Sequence, residues 1–71
     1  MTEVRLVGWN KGLQTVSLIK AICDHAGVSL SEAKFLVEEL LDGRSVAVSF
    51  ANAAKMNEFR EVARRLGARC E

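Results

Sequence analysis

The amino-acid sequence predicts an α+β fold, a two-layer sandwich in the order β-α-α-β-α-β with three helices on one face of a three-stranded antiparallel sheet. Three observations predict it. Residues 45–50 alternate between polar and apolar side chains, as a half-buried strand does. Three other segments repeat apolar residues with the period of amphipathic helices. Each of these segments is followed within two residues by a glycine, which commonly ends a helix.

Length and composition limit the class of protein. Seventy-one residues are enough for a single domain, 1–71, with a small core. The chain is 49% hydrophobic and has no proline, which favours an ordered globular unit. Ten basic and nine acidic residues leave a net charge of +1, so no bulk attraction to nucleic acid or to a membrane is expected. No apolar leader opens the chain, and we expect a cytoplasmic protein with reduced cysteines.

A glycine-containing loop separates the first predicted strand from the first predicted helix. Residues 4–7 alternate weakly and predict a short strand that ends at Gly8. The loop that follows, residues 8–12, lacks the Gly-Lys-Ser/Thr ending of a phosphate-binding loop. A helix is predicted from about residue 14 to residue 26, with Ala21 and His25 on its polar side. Its predicted apolar arc consists of Leu18, Ile22, Ala26, Ile19, Cys23 and Val16.

The turn between the first two helices has strong local signals. Gly27 tolerates the left-handed conformation that ends a helix. Ser29 is the expected N-cap of the next helix, with Glu32 reaching back to it in a capping box. The second helix is predicted over residues 30–41, and Phe35 falls on its wet side unless a shift of the helix end buries it. The predicted buried face consists of Leu36, Leu40, Ala33, Val37, Leu30 and Leu41.

The second half of the chain predicts a strand, a helix and a strand. Residues 45–50 place Val46, Val48 and Phe50 inward. Asn52 is the expected N-cap of a third helix that ends near residue 66, and residues 68–71 can form a last strand. A helical crossover makes the last two strands parallel to each other. The first strand can then lie between them, antiparallel to both.

No group of residues predicts catalysis, a metal site or a cofactor. His25 is the only histidine, and the scattered serines have no base and orienting group in a catalytic pattern. Cys23 and Cys70 lack cysteine or histidine neighbours at zinc-ligand spacing. The outer face of the third helix interleaves arginines with glutamates, which predicts a solvated face and leaves a basic nucleic-acid-binding module as an alternative.

The chain resembles a known family in three runs of residues. These runs are Val16-Ser17-Leu18-Ile19-Lys20, Gly27-Val28-Ser29-Leu30-Ser31-Glu32-Ala33-Lys34 with Leu36-Val37-Glu38, and Leu66-Gly67-Ala68. They are similar to the C-terminal domain of the bacterial large-subunit ribosomal stalk protein, and the resemblance covers nearly the whole chain. It implies the same order of strands and helices. In that family the domain recruits the GTPase factors of translation through its first two helices and the turn between them.

The resemblance implies a partner-binding site on the first two helices. By position, its residues are Val16, Ile19, Lys20, Leu30, Glu32 and Lys34. Lys20 and Lys34 each border an apolar arc, where the stem can pack while the charge faces a partner. The family usually has cations where this chain has Thr15, Cys23 and Ser31, so we expect a less basic surface and a weaker or different partner.

A second family remains an alternative. Residues 39–48 lack the proline-containing turn common in the stalk family and look more like the related adaptor of the Clp protease, which recognises N-terminal degrons. That adaptor needs an acidic cluster after its first strand. This chain has Gly8-Trp9-Asn10-Lys11 there, and a lysine disfavours binding of an α-ammonium group.

Trp9 and Phe35 are candidates for a secondary interface. Trp9 either anchors a partner or covers the open end of the core. An exposed Phe35 favours self-association or a partner specific to this protein. The chain has neither the dimerising N-terminal domain nor the hinge of the stalk family, so we expect a stalk-like domain rather than a complete stalk protein.

Overall fold

A computed structural model describes residues 2–71 and confirms the predicted α+β order. The elements are β1 (Glu3–Trp9), α1 (Thr15–Ala26), α2 (Leu30–Leu41), β2 (Val46–Ser49), α3 (Ala53–Leu66) and β3 (Ala68–Cys70). The strands form one sheet in the order β2-β1-β3, and β1 is antiparallel to both neighbours. The central position predicted for the first strand is therefore correct.

The three helices cover one face of the sheet. Along β2 and along β1 as far as Leu6, every second residue is buried, while the residues between them are exposed on the other face. The buried strand residues are Val4, Leu6, Val46, Val48 and Ala68. Phe50, just after β2, packs against Phe59 of α3 with ring centroids 5.0 Å apart. The core therefore lies between this face and the helices.

The central helix of the helical layer is α1. It packs against both α2 and α3. His25, in its last turn, lies with its ring centroid 6.2 Å from that of Phe59, and its Nε2 is 3.8 Å from the Glu58 carboxylate. These contacts place α3 on the His25 side of α1. The second helix, α2, consequently lies on the opposite flank.

The turn between α1 and α2 has the predicted caps, although its capping box is half formed. Gly27 has a φ of +72°, and its N–H donates to the Cys23 carbonyl. The Glu32 backbone N–H donates to Ser29 Oγ at 3.2 Å, so Ser29 caps α2. Within residues 2–71, the Glu32 carboxylate makes no return bond to Ser29. These local signals fix the start of α2 at Leu30, as predicted.

The first strand is longer than predicted because it also pairs with β3. It was expected to end at Gly8, but it continues through Trp9. Val7 is an extra residue in β1, a β-bulge where the register with β3 shifts. The pairs on the two sides of the shift are Leu6–Cys70, Gly8–Arg69 and Trp9–Ala68. The loop predicted over residues 8–12 is therefore reduced to the residues after Trp9.

The buried face of α1 is rotated relative to the prediction. Ala21, predicted on the polar side, is buried, whereas Val16, predicted in the apolar arc, is 70% exposed. Because α1 is packed between two helices, its contact with α3 draws the Ala21 and His25 side inward. Leu18 and Ile22 are buried as predicted.

The buried face of α2 is narrower than predicted. Ala33, Val37 and Leu40 are buried, but Leu30 and Leu41, at the two ends of the helix, are exposed. Phe35 is 59% exposed and lies on the wet side as predicted. The boundaries of α2 match the prediction, so the alternative in which a shift buries Phe35 is wrong.

Candidate docking surface on the helical hairpin

The outer side of α1 carries three of the predicted partner-binding residues. Val16, Ile19 and Lys20 are spaced i, i+3 and i+4, which places them beside one another on the helix. Val16 and Lys20 are exposed, and Ile19 is half-buried against the core. The first two turns of α1 therefore present an apolar side chain and an ammonium group to solvent, with Ile19 at the border of the core.

On α2 the surface is formed by Leu30 and Lys34, which lie one helical turn apart. Leu30 is 65% exposed and Lys34 is exposed. Glu32 is two residues from each, about 200° around the helix, so it lies on the other side. Its position in the first turn suits the positive end of the helix dipole. The structure thus brings Leu30 and Lys34 together but not Glu32.

The residues on the two helices form an extended surface. Three residues, 27–29, connect the helices, so Leu30 lies beside the C-terminal end of α1. Val16 is ten residues before that end, or about 15 Å along the helix axis. The surface therefore extends along most of the length of α1.

Lys20 and Lys34 have their charges available. Among residues 2–71, neither lysine has a carboxylate within ion-pair distance. The ion pairs present are Arg5–Glu71, His25–Glu58 and Arg44–Glu39. Both ammonium groups can therefore interact with a partner without first breaking an internal pair.

The three positions at which the family carries cations differ in their surroundings. Cys23 is half-buried and packs against the core. Thr15 is also half-buried, whereas Ser31 is exposed. The surface beside Lys20 is consequently uncharged at Cys23.

Trp9 belongs to a different part of the molecule. It is 43% exposed, and its partner across the sheet, Ala68, is buried beneath the helices. Paired residues in an antiparallel sheet point to the same face, so the bulge places Trp9 on the helix side. The adjacent Asn10 N–H donates to the Gly67 carbonyl, at the C-terminal end of α3. Trp9 and Phe35 therefore do not form one interface.

The thiol of Cys70 is not activated. Burial raises the pKa of the Cys70 thiol, and the positive charges of Arg60 and Arg64 offset only part of this rise. A reactive cysteine has a lowered pKa, because the thiolate is the nucleophile. Cys70 therefore behaves as a half-buried structural residue.

Leu41 is an exposed residue that the sequence pattern did not reveal. It is spaced seven residues from Lys34, which places both on one side of α2. The pattern predicts it as buried, yet it is exposed because it is the last residue of α2 and Gly43 ends the turn that follows. Its position at the helix end is the signal that could have identified it. Leu41 extends the apolar part of the hairpin surface.

No family model matches the sequence, and no curated protein matches it either. No helix within residues 2–71 has the length and apolar character needed to cross a membrane. In the same part of the chain, no three histidine, cysteine or acidic side chains are grouped as metal ligands, and no pocket is present.

Proposed function

We propose that this chain is a non-enzymatic protein-binding module that docks its partner through the outer surface of the α1–α2 hairpin. The observation that carries the proposal is the exposure of Val16 and Leu30 beside the unpaired charges of Lys20 and Lys34. Ile19 borders this surface, whereas Glu32 lies on the other side of α2 and is left out of the proposed contact. The resemblance to the stalk C-terminal domain supports a GTPase factor of translation as the partner, and a cytoplasmic location.

The physical basis is an apolar contact with a charged rim. Burying one large aliphatic side chain contributes about 1.5–3 kcal/mol to the free energy of binding. Association must first offset the translational and rotational entropy that the two partners lose. Two exposed apolar residues and two lysines therefore support a transient contact rather than a permanent one. The lysines act mainly on association rate and partner choice, so binding should weaken as salt is added.

The proposal is tested by NMR titration of the isotope-labelled chain with a purified translation elongation-factor GTPase. We expect the largest shifts at residues 16–20 and 30–34. Lys34→Glu should weaken binding by on the order of tenfold, because it reverses a charge at the rim. Lys55→Glu is the matched control, since it makes the same charge change at the start of α3. Equal losses in both variants, or no shifts in the hairpin, would contradict the proposal.

The alternatives have distinct responses in the same spectra. A Clp-type adaptor would respond to a peptide with a destabilising N-terminal residue, with shifts around Trp9 and Asn10. A nucleic-acid-binding module would respond to RNA at Arg60, Arg64 and Arg65 in a salt-sensitive manner. Either response, without NMR shifts at residues 16–20 and 30–34, would favour that alternative over the proposed function.

A further inference from the structure

A second exposed surface lies on the outer side of α2. Phe35, Glu38 and Asp42 are spaced i, i+3 and i+7, so they share one side of the helix. We refer to these three residues as the Phe35 face. Neither Glu38 nor Asp42 has a cation within ion-pair distance in residues 2–71, whereas the neighbouring Glu39 accepts two hydrogen bonds of 3.1 Å from Arg44. This face is therefore a large exposed aromatic ring beside two unpaired carboxylates.

The far flank of α3 has the opposite charge. Glu58 faces α1, where it meets His25. Arg60 and Arg64 are spaced i and i+4, and Arg60 is about 200° around the helix from Glu58, so this pair lies on the side away from α1. We refer to this pair as the arginine flank. In the part of the chain that the structure describes, neither arginine has a carboxylate partner, and Arg60 Nε is buried without an acceptor.

We infer that the Phe35 face of one molecule docks against the arginine flank of a second copy of the chain. The two surfaces have complementary charge, and an arginine guanidinium can stack on the exposed ring of Phe35. The net charge of +1 gives two copies little long-range repulsion. Pairing of two Phe35 faces would instead bring carboxylates against carboxylates. This contact uses none of Val16, Lys20, Leu30 and Lys34, and it adjoins the hairpin surface where Glu38 lies one turn from Lys34.

The position of the two surfaces determines how the assembly grows. They belong to α2 and α3, which lie on opposite flanks of α1. A contact between two different surfaces leaves one of each free at the ends of a pair. Association therefore continues beyond a dimer as concentration rises.

Sedimentation velocity over a concentration series tests the inference with the full chain. We expect the weight-average mass of the wild type to rise through dimer and larger species, and to fall back towards one chain in high salt. Phe35→Ser removes the aromatic ring and Arg64→Glu reverses the flank, so each variant alone should remain a single chain. Lys55→Glu, the charge-matched control on α3, should associate like the wild type. Circular dichroism verifies that each variant folds.

Mixing the two deficient variants gives the sharpest test. The Phe35→Ser chain keeps its arginine flank, and the Arg64→Glu chain keeps its Phe35 face. Their mixture should form a one-to-one complex and nothing larger, because only one productive contact remains. A wild type that stays a single chain at every concentration overturns the inference. A dimer that resists Arg64→Glu also overturns it, since another surface would then hold the copies together.

Discussion

The inner and outer faces of the α1–α2 hairpin come from the same two helices, and both contain aliphatic residues. On the inner face, Leu18 and Val37 are fully buried against the sheet and the neighbouring helices. On the outer face, Val16 and Leu30 are exposed to solvent. Apolar character alone therefore does not separate a residue that stabilises the fold from one available to a partner. The two kinds of residue differ in their position relative to α3 and to the ends of their own helix.

The largest loss of stability is expected from a substitution on the inner face. Leu18→Ala should lower the free energy of unfolding by about 2–5 kcal/mol, because it removes a fully buried side chain and leaves a cavity. Chemical denaturation measures this loss. Val16→Ala, on the same helix, is the matched control and should change stability little. Similar losses in the two variants would show that Val16 stabilises the fold as much as Leu18 does.

A smaller effect is expected at the turn that joins the helices. Gly27 has a φ of +72°, and a Cβ added there meets nothing within 4 Å. Gly27→Ala should therefore cost about 1–2 kcal/mol through backbone strain alone. Thermal unfolding measures the loss, and Gly27→Asn should recover part of it because asparagine tolerates this conformation better. A loss as large as that of Leu18→Ala would indicate a packing role for Gly27.

The cap of α2 should contribute less again. Ser29→Ala removes the oxygen that accepts the Glu32 N–H and should cost about 1 kcal/mol. Ser29→Asp restores an acceptor near the positive end of the helix and should recover the stability in urea unfolding. Failure of Ser29→Asp to recover it would argue against a cap in solution.

The smallest effect on stability is expected on the outer face. Leu30→Ser should leave the free energy of unfolding within about 0.5 kcal/mol of the wild type, because Leu30 is already exposed. The same variant should weaken binding of an elongation-factor GTPase in the titration described above. A large loss of stability together with unchanged binding would reverse the roles assigned to the two faces.

Features fixed by neighbouring residues were predictable from the sequence. Ser29 and Gly27 specify the boundaries of the turn through their own backbone and side-chain chemistry. The caps therefore predicted the start of α2 at Leu30, and the helix ends at Leu41 as predicted. Asn52 likewise caps α3 by accepting the Lys55 N–H at 2.9 Å. The alternation over residues 45–50 correctly placed Val48 and Phe50 inward.

Features fixed by distant contacts were not predictable. The extension of β1 through Trp9 depends on β3, about sixty residues later in the chain. The burial of Ala21 depends on α1 lying between two helices. For the candidate site, Lys20 and Lys34 were predicted at the margins of the apolar arcs, and both are exposed. Periodicity placed Val16 and Leu30 inside the buried arcs, and only the resemblance assigned them to a partner, because periodicity alone cannot locate the centre of a buried arc or the edge of the layer beneath it.

The extra residue at Val7 changes how the sequence of β1 should be aligned and edited. A strand assigns its residues to two faces by odd and even position, and one added residue exchanges these assignments for every residue after it. Val7 is that added residue, so removing it would leave Gly8 opposite Arg69 and Trp9 opposite Ala68, and Trp9 would stay on the helix side. In this strand, a single-residue gap at Val7 therefore shortens the sequence without changing the face of the sheet on which the tryptophan lies.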